Sequence, residues 1–304
     1  MRDLARPDRT IVVEDGEWLD PARERRIPYR SYRPEGGTDN PVIVYSHGLG
    51  GSRQSGERWL QHWASHGFCG IALQHAGTDE TVFANASPMA LRRILRTTAD
   101  PDQLAIRAAD VSHAIDRLIS GELPHADPTR IGIAGHSFGA VTVQALSGER
   151  LNAFGLALCD PRPIASLAFS PSARGSQGEM AERFACISRP FFSLTGSRDG
   201  GIGPGDIDPG NRSLPFEYMP GPDKYLLVLA DAGHLAFAGH GSSTEARLAH
   251  RETARRDIDA IVLAATTRFW LQHLAASADT GVQRALAGHL WPEDRFVHKA
   301  RAVR

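Results

Sequence analysis

The stretch that most constrains this chain is Ile131-Gly132-Ile133-Ala134-Gly135-His136-Ser137-Phe138-Gly139-Ala140. A short apolar strand runs into Gly-x-Ser-x-Gly and leaves as the run Val141-Thr142-Val143-Gln144-Ala145-Leu146, so strand, sharp turn and helix follow one another without a spacer. At such a turn the serine takes a strained backbone conformation with its hydroxyl clear of the sheet, and the flanking glycines let strand and helix approach closely. The new helix aims its N-terminal amides at the serine, where negative charge would develop during a nucleophilic attack. Alone the pattern is weak, because an ordinary Gly/Ser turn has the same letters. Its weight depends on what the rest of the chain supplies.

Bulk properties narrow the field. With 304 residues, 41% hydrophobic and 23% charged, the chain can bury a full core, and one large α/β domain accommodates it. A net charge of −1 offers no basic surface for phosphate backbones, which argues against nucleic acid as a partner. None of the thirteen histidines falls in a metal-ligand pattern such as His-Glu-x-x-His, so no metal and no cofactor are expected. Cys69, Cys159 and Cys186 are an odd, sparse set among apolar neighbours, expected to be buried free thiols of a reducing compartment. The start, Met1 to Arg9, lacks the apolar stretch of a signal peptide, and no segment approaches the length of a membrane span. The expectation is a cytoplasmic protein.

Taken in order, Ile11 to Glu14 and Ile27 to Tyr32 predict an antiparallel edge hairpin around Asp20-Pro21, with Arg30 and Ser31 facing outward. Val42-Ile43-Val44-Tyr45 is an unbroken apolar run, as in a buried parallel strand. It ends in Ser46-His47-Gly48-Leu49-Gly50-Gly51, whose glycines allow a sharp turn with unpaired amides. A phosphate cradle is excluded there, since neither Gly-x-x-x-x-Gly-Lys-Ser/Thr nor a helix-opening Gly-x-Gly-x-x-Gly is present. An oxyanion hole remains, with the backbone N–H groups of Leu49 and Phe138 as donors.

Trp59 to His66 predicts a helix and Phe68 to Leu73 another buried strand. An insertion at about 80–100, carrying Arg92, Arg93 and Arg96 beside Met89, Leu91, Ile94 and Leu95, is either a cap over the site or a solvated surface helix. Asp102 to Ser120 is a strongly amphipathic helix, on which Arg107 and Asp110 are expected to pair. Phe154 to Leu158 extends helical packing. Strands follow at Ile164–Phe169, Pro190–Thr195 and Tyr225–Leu229, with a Gly/Pro loop from Gly200 to Pro222 and a last long helix from Asp257 to Leu274. Helices and strands alternate, and no repeat or linker divides residues 1–304. The prediction is one doubly wound, mostly parallel domain with an antiparallel N-terminal hairpin.

Chemistry-bearing groups at strand ends come in the order Ser137, Asp199, His234. Cleaving an ester needs a nucleophile, a base to take its proton, and an anion to hold the base in the right tautomer. Parallel strands put such ends on one edge of a sheet, and this chain order is the one expected of the α/β-hydrolase fold. Rivals exist: Asp160 follows the apolar Leu156 to Cys159 and is the alternative acid, and His240 is the alternative base. His47, His75 and His136 are expected to be structural or to line the pocket.

Tyr45-Ser46-His47-Gly48-Leu49-Gly50-Gly51 and Gly135-His136-Ser137-Phe138-Gly139-Ala140 resemble the two signature segments of platelet-activating-factor acetylhydrolases and of bacterial dienelactone-hydrolase-like serine esterases. Trp18 to Arg23, Gln74 to Asp79, and Asp223 to His234 are further matches, so the likeness covers roughly Glu14 to Leu274. The resemblance implies an α/β-hydrolase fold, Ser137 as nucleophile, the Leu49 and Phe138 amides as oxyanion hole, and His234 as base. Dienelactone hydrolases proper carry cysteine where this chain has Ser137. Plasma-type acetylhydrolases place the acid after the strand that follows the elbow helix, which favours Asp160, whereas the bacterial relatives place it one strand later, which favours Asp199. The expected function is a cofactor-free serine esterase acting on small-molecule esters of short acyl chains through an acyl-enzyme. The alternatives are an acyltransferase or amidase with the same groups, or a non-catalytic binding module.

Overall fold

Val42 and Val44 point to one face of their strand and Ile43 and Tyr45 to the other, and all four are buried. A strand apolar on both faces requires cover on both. The computed structural model of the protein describes residues 9–82, 100–201, 208–239, 257–277 and 281–300. Within them this strand, β3 (Asn40–Ser46), lies inside a sheet built with β1 (Ile11–Asp20), β2 (Arg25–Pro34), β4 (Cys69–Leu73), β5 (Ala126–His136), β6 (Ala165–Phe169), β7 (Phe191–Arg198), β8 (Lys224–Gly233) and β9 (Arg295–Lys299). The strand order is β1-β2-β4-β3-β5-β6-β7-β8-β9. Neighbours from β4 through β8 are parallel, while β1 with β2, β2 with β4, and β8 with β9 are antiparallel.

Each face has its own core. On one, α1 (Glu57–Ser65), α6 (Ile258–His273) and α7 (Val282–Leu286) bring Trp59, Trp63, Phe269 and Trp270 against Phe169 and Phe192. Trp63 meets Trp270 edge-on with ring centroids 5.7 Å apart and donates its indole N–H to Thr266 Oγ1 at 3.0 Å, so a large side chain is buried with its polar group satisfied. On the other face, α2 (Pro101–Ile119), α3 (Phe138–Leu146) and α4 (Gln177–Phe184) pack Val111, Ile115, Val143 and Phe184 against Val42, Val44 and Ile133. Two helix starts are capped by side chains: Asp100 accepts Gln103 N–H ahead of Pro101, and Asp257 accepts Ala260 N–H. The short helix α5 (Leu214–Tyr218) lies between β7 and β8 in the chain.

The predicted strands and long helices recur with boundaries shifted by a few residues, and several expectations change. Only β1 is an edge of the hairpin; β2 is flanked by β1 and β4, so Ser31 is buried and donates to the Glu14 carbonyl. Phe154–Leu158 is not helical but a set of turns, and the C-terminal strand β9 and helices α4, α5 and α7 were not anticipated. Arg107 and Asp110 do not pair: Arg107 turns to His47, while Asp110 takes Arg23, Arg25 and His75. Cys69 is a buried free thiol, but Cys159 and Cys186 are exposed, because both lie in connections outside the sheet. The proposed cap lies almost wholly outside the described residues, as does His240. Among the described residues no helix is long and apolar enough to cross a membrane.

Candidate active site

β5 delivers Ser137 to the edge of the sheet where the parallel strands end, with φ 56° and ψ −113°. An L-residue in this region is strained, and such strain persists only where the surroundings over-determine it. Here two glycines do so. A Cβ on Gly139 would stand 1.9 Å from the Ser46 carbonyl oxygen, and one on Gly135 would stand 2.4 Å from the Gly139 carbonyl oxygen, so β3, β5 and α3 close only around glycine.

Asp199 follows β7 directly and His234 follows β8, the next strand over. His234 Nε2 lies 2.9 Å from Ser137 Oγ, and His234 Nδ1 lies 2.7 Å from Asp199 Oδ1. A carboxylate only accepts, so Nδ1 carries the ring proton and Nε2 is left to accept from the serine hydroxyl. Thr195 Oγ1 donates to the other Asp199 oxygen at 2.8 Å. Burial by itself would raise the Asp199 carboxyl. The hydrogen bond from His234, the attraction of that ring when it is protonated and the Arg212 cation outweigh burial and hold it at about 2.

The loop after β3 carries the other candidate group. Among the described residues the Leu49 and Phe138 N–H groups have no hydrogen-bond partner, and Phe138 opens α3, where the helix dipole adds positive potential. Two unpaired amides beside a serine hydroxyl can hold an oxyanion.

His47 and His75 are fully buried behind that loop rather than facing a pocket. His75 N–H donates to His47 Nε2 at 3.0 Å, which puts the His47 proton on Nδ1, 2.6 Å from the Gly48 carbonyl. His75 in turn bonds Asp110 Oδ2 and Ser46 Oγ, each at 3.0 Å. Burial and the nearby Arg107 cation push His75 down to about 4 and keep it neutral. Arg107, fully buried on α2, donates to the His47 carbonyl and sets its guanidinium 4.6 Å over the Phe138 ring, touching both segments that carry the free amides. His136 is buried too; its Nε2 donates to the His234 carbonyl at 3.1 Å, and burial, then the charge of His234, push it down to about 3.

Asp160 stands apart from this group. It precedes β6 instead of following it, which places it at the opposite edge of the sheet, and its carboxylate is taken by Arg162 and Ser112. The structure therefore brings together Ser137, Asp199 and His234 and leaves Asp160 out.

Two side chains here escaped the sequence reading. Arg107 looked like one half of a helical ion pair. Arg212 sat in a Gly/Pro loop with no motif around it, yet it is 2% exposed and contacts both Asp199 and His234. Beside Phe138 a cavity of about 700 Å³ opens, with Leu104, Val141, Leu151 and Phe154 among its apolar walls and the exposed Arg150 at its rim. Among the described residues no cluster of His, Cys, Asp and Glu is arranged to hold a metal ion.

Neither protein-family models nor curated proteins match the chain. Among solved structures it is similar to a ferulic acid esterase from Streptomyces cinnamoneus, with a TM-score of 0.63 and 17% sequence identity over 94% of this chain and 96% of that one. At that identity the likeness speaks for architecture. Together with the mostly parallel sheet, the alternating helices and the antiparallel N-terminal hairpin, it identifies the architecture as the α/β-hydrolase fold.

Proposed function

We propose that the protein is a serine hydrolase that cleaves carboxylic esters through an acyl-enzyme intermediate. The observation that carries this reading is the hydrogen-bonded chain Ser137–His234–Asp199, with separations of 2.9 and 2.7 Å, beside two unpaired backbone amides. Ser137 Oγ attacks the ester carbonyl as His234 Nε2 takes its proton. Asp199 holds the ring orientation and stabilises the imidazolium that forms. The negative charge that builds on the carbonyl oxygen is held by the Leu49 and Phe138 amides, where loss of one donor in a serine protease costs roughly 3–4 kcal/mol of barrier stabilisation. His234 then returns the proton to the departing alcohol, and water repeats the sequence on the acyl-enzyme. No metal or cofactor is required by these steps.

The non-reacting part of the ester sits in the cavity beside Phe138, and the acyl chain is short. The similarity to a ferulic acid esterase supports an ester-cleaving reading without assigning that substrate. Hydrolysis of p-nitrophenyl acetate, butyrate and octanoate by the wild type and Ser137→Ala tests both statements. The expected result is turnover by the wild type, fastest on the two shorter esters, and a loss of about 10³-fold or more in Ser137→Ala. Equal inertness of both proteins on all three esters would remove the hydrolase reading. A preference for octanoate would place the acyl chain in the cavity.

A further inference from the structure

Arg212 ends a turn, Pro209–Arg212, that Asp208 starts by accepting the Gly210 N–H at 2.7 Å. Its guanidinium is buried and held through Nε and Nη1. Nε donates to the Asp199 carbonyl at 3.1 Å and lies 3.2 Å from Asp199 Oδ1, and Nη1 donates to the Ser170 carbonyl at 2.7 Å. Nη2 lies 3.2 Å from His234 Nδ1. That ring nitrogen already gives its proton to Asp199, so it has no lone pair to offer, and the contact sets a fixed cation against the imidazole. A neutral ring tolerates this neighbour. An imidazolium is disfavoured by it, because two like charges at this range, shielded from water, repel.

The other groups facing His234 do not reproduce this effect. Asp199 at the end of β7 favours the imidazolium, Ser137 at the elbow is neutral, and His136, reaching from β5 with its ring centroid 4.7 Å away, is held neutral by burial. Arg174 is near enough to act on Arg212 through its charge, and it too is a cation.

We propose that Arg212 is a positioning residue for the Asp199–His234 pair, fixing the acid through its backbone and carboxylate while its charge opposes protonation of His234, so that the base stays available at lower pH. The proposal rests on the serine hydrolase reading given above. A strut that only anchored the loop would hold geometry without moving a titration.

The test is the pH profile of kcat/KM on a p-nitrophenyl ester for Arg212→Gln, Arg212→Met and Arg212→Lys, paired with NMR titration of the His234 ring, assigned against His234→Asn. Removing the cation is expected to move the acid limb and the ring titration upward together in the two neutral variants. In Arg212→Lys, which keeps the charge, limb and ring titration stay near the wild-type pH. The proposal is overturned if limb and titration stay at the wild-type pH in the neutral variants while kcat/KM falls, or if they move down. Should the neutral variants not fold, an upward move of limb and titration in Arg212→Lys, where the charge is kept, overturns it equally. If the wild type hydrolyses no ester, the ring titration still reads the influence of Arg212, so failure of the hydrolase reading is distinguishable from failure of this one.

Discussion

Ser137 holds a positive φ for the sake of where its hydroxyl must stand, and that position has a stability cost. Ser137→Gly and Ser137→Ala lose the same hydroxyl, but only glycine relaxes the backbone. Ser137→Gly is therefore expected to be more stable than Ser137→Ala by about 1 kcal/mol in denaturant unfolding, with both inactive. The acid is tested by asymmetry. Asp199→Asn, which reverses the tautomer of His234, should lower kcat by about 10⁴-fold, the effect seen for this change in a serine protease. Asp160→Asn should leave kcat within about twofold, since Asp160 serves Arg162 and Ser112 at the far edge of the sheet. A comparable loss in both would contradict the assignment. Ser137, Asp199 and His234 stood out in the sequence because each ends an apolar strand, and strand ends are a local signal; the structure brings the three within hydrogen-bond reach. The rivalry of Asp160 was not settled by local sequence, because an apolar run followed by Asp-Pro has the same appearance whether it ends a strand or precedes one. Arg212 carried no signal at all: a lone arginine in a Gly/Pro loop acquires meaning only when the loop folds back on β7 and β8.

At the scale of elements, the segments around the site are held by one buried polar chain. Asp110 on α2 takes Arg23 Nη1 at 2.9 Å from the β1–β2 turn, Arg25 Nε at 2.7 Å from the start of β2, and His75 Nδ1 at 3.0 Å from beyond the end of β4; His75 reaches His47 after β3. Breaking a buried charge cluster by removing one partner typically costs about 3–5 kcal/mol. Asp110→Ala is expected to lose stability of that order in urea unfolding, whereas a loss below about 1 kcal/mol would show that the cluster is not a unit. Gly139→Ala is a stricter case: with 1.9 Å to a backbone oxygen there is no side chain to move aside, and the variant is expected not to accumulate as folded protein. The long amphipathic helices and apolar strands were readable from period and composition. The cluster was not, because Arg23 and Arg25, His75 and Asp110 lie in three segments distant in sequence, and no local pattern joins them until topology gathers them. The i, i+3 spacing of Arg107 and Asp110 misled for the same reason, since tertiary partners outcompeted the local one.

For the whole molecule, the buried titratable groups set how stability responds to acid. Burial holds His75 at about 4 and His136 at about 3, against an ordinary value of 6.5, so as pH falls below 6.5 the unfolded chain takes up protons that the folded chain refuses. Stability from these groups is present above 6.5 and declines as pH drops toward 4. Asp110 and Asp199 then act in the next window. Burial opposes their charge, but their hydrogen bonds and cationic neighbours hold both at about 2 against an ordinary 3.8. Their contribution is present above about pH 4 and is lost as pH falls from 4 to 2. Melting temperature is thus expected to fall in two stages from neutral to strongly acid pH, and a flat profile between pH 7 and 4 would contradict the burial assigned to the two histidines. The claim on which the rest depends, that the fold presents an activated Ser137, is tested most directly by covalent labelling. The protein is treated with a fluorophosphonate and the site is read by mass spectrometry, with His234→Asn alongside. One adduct is expected, on Ser137, formed by the wild type and nearly absent from His234→Asn. An unlabelled wild type, or equal labelling of both proteins, would contradict the claim.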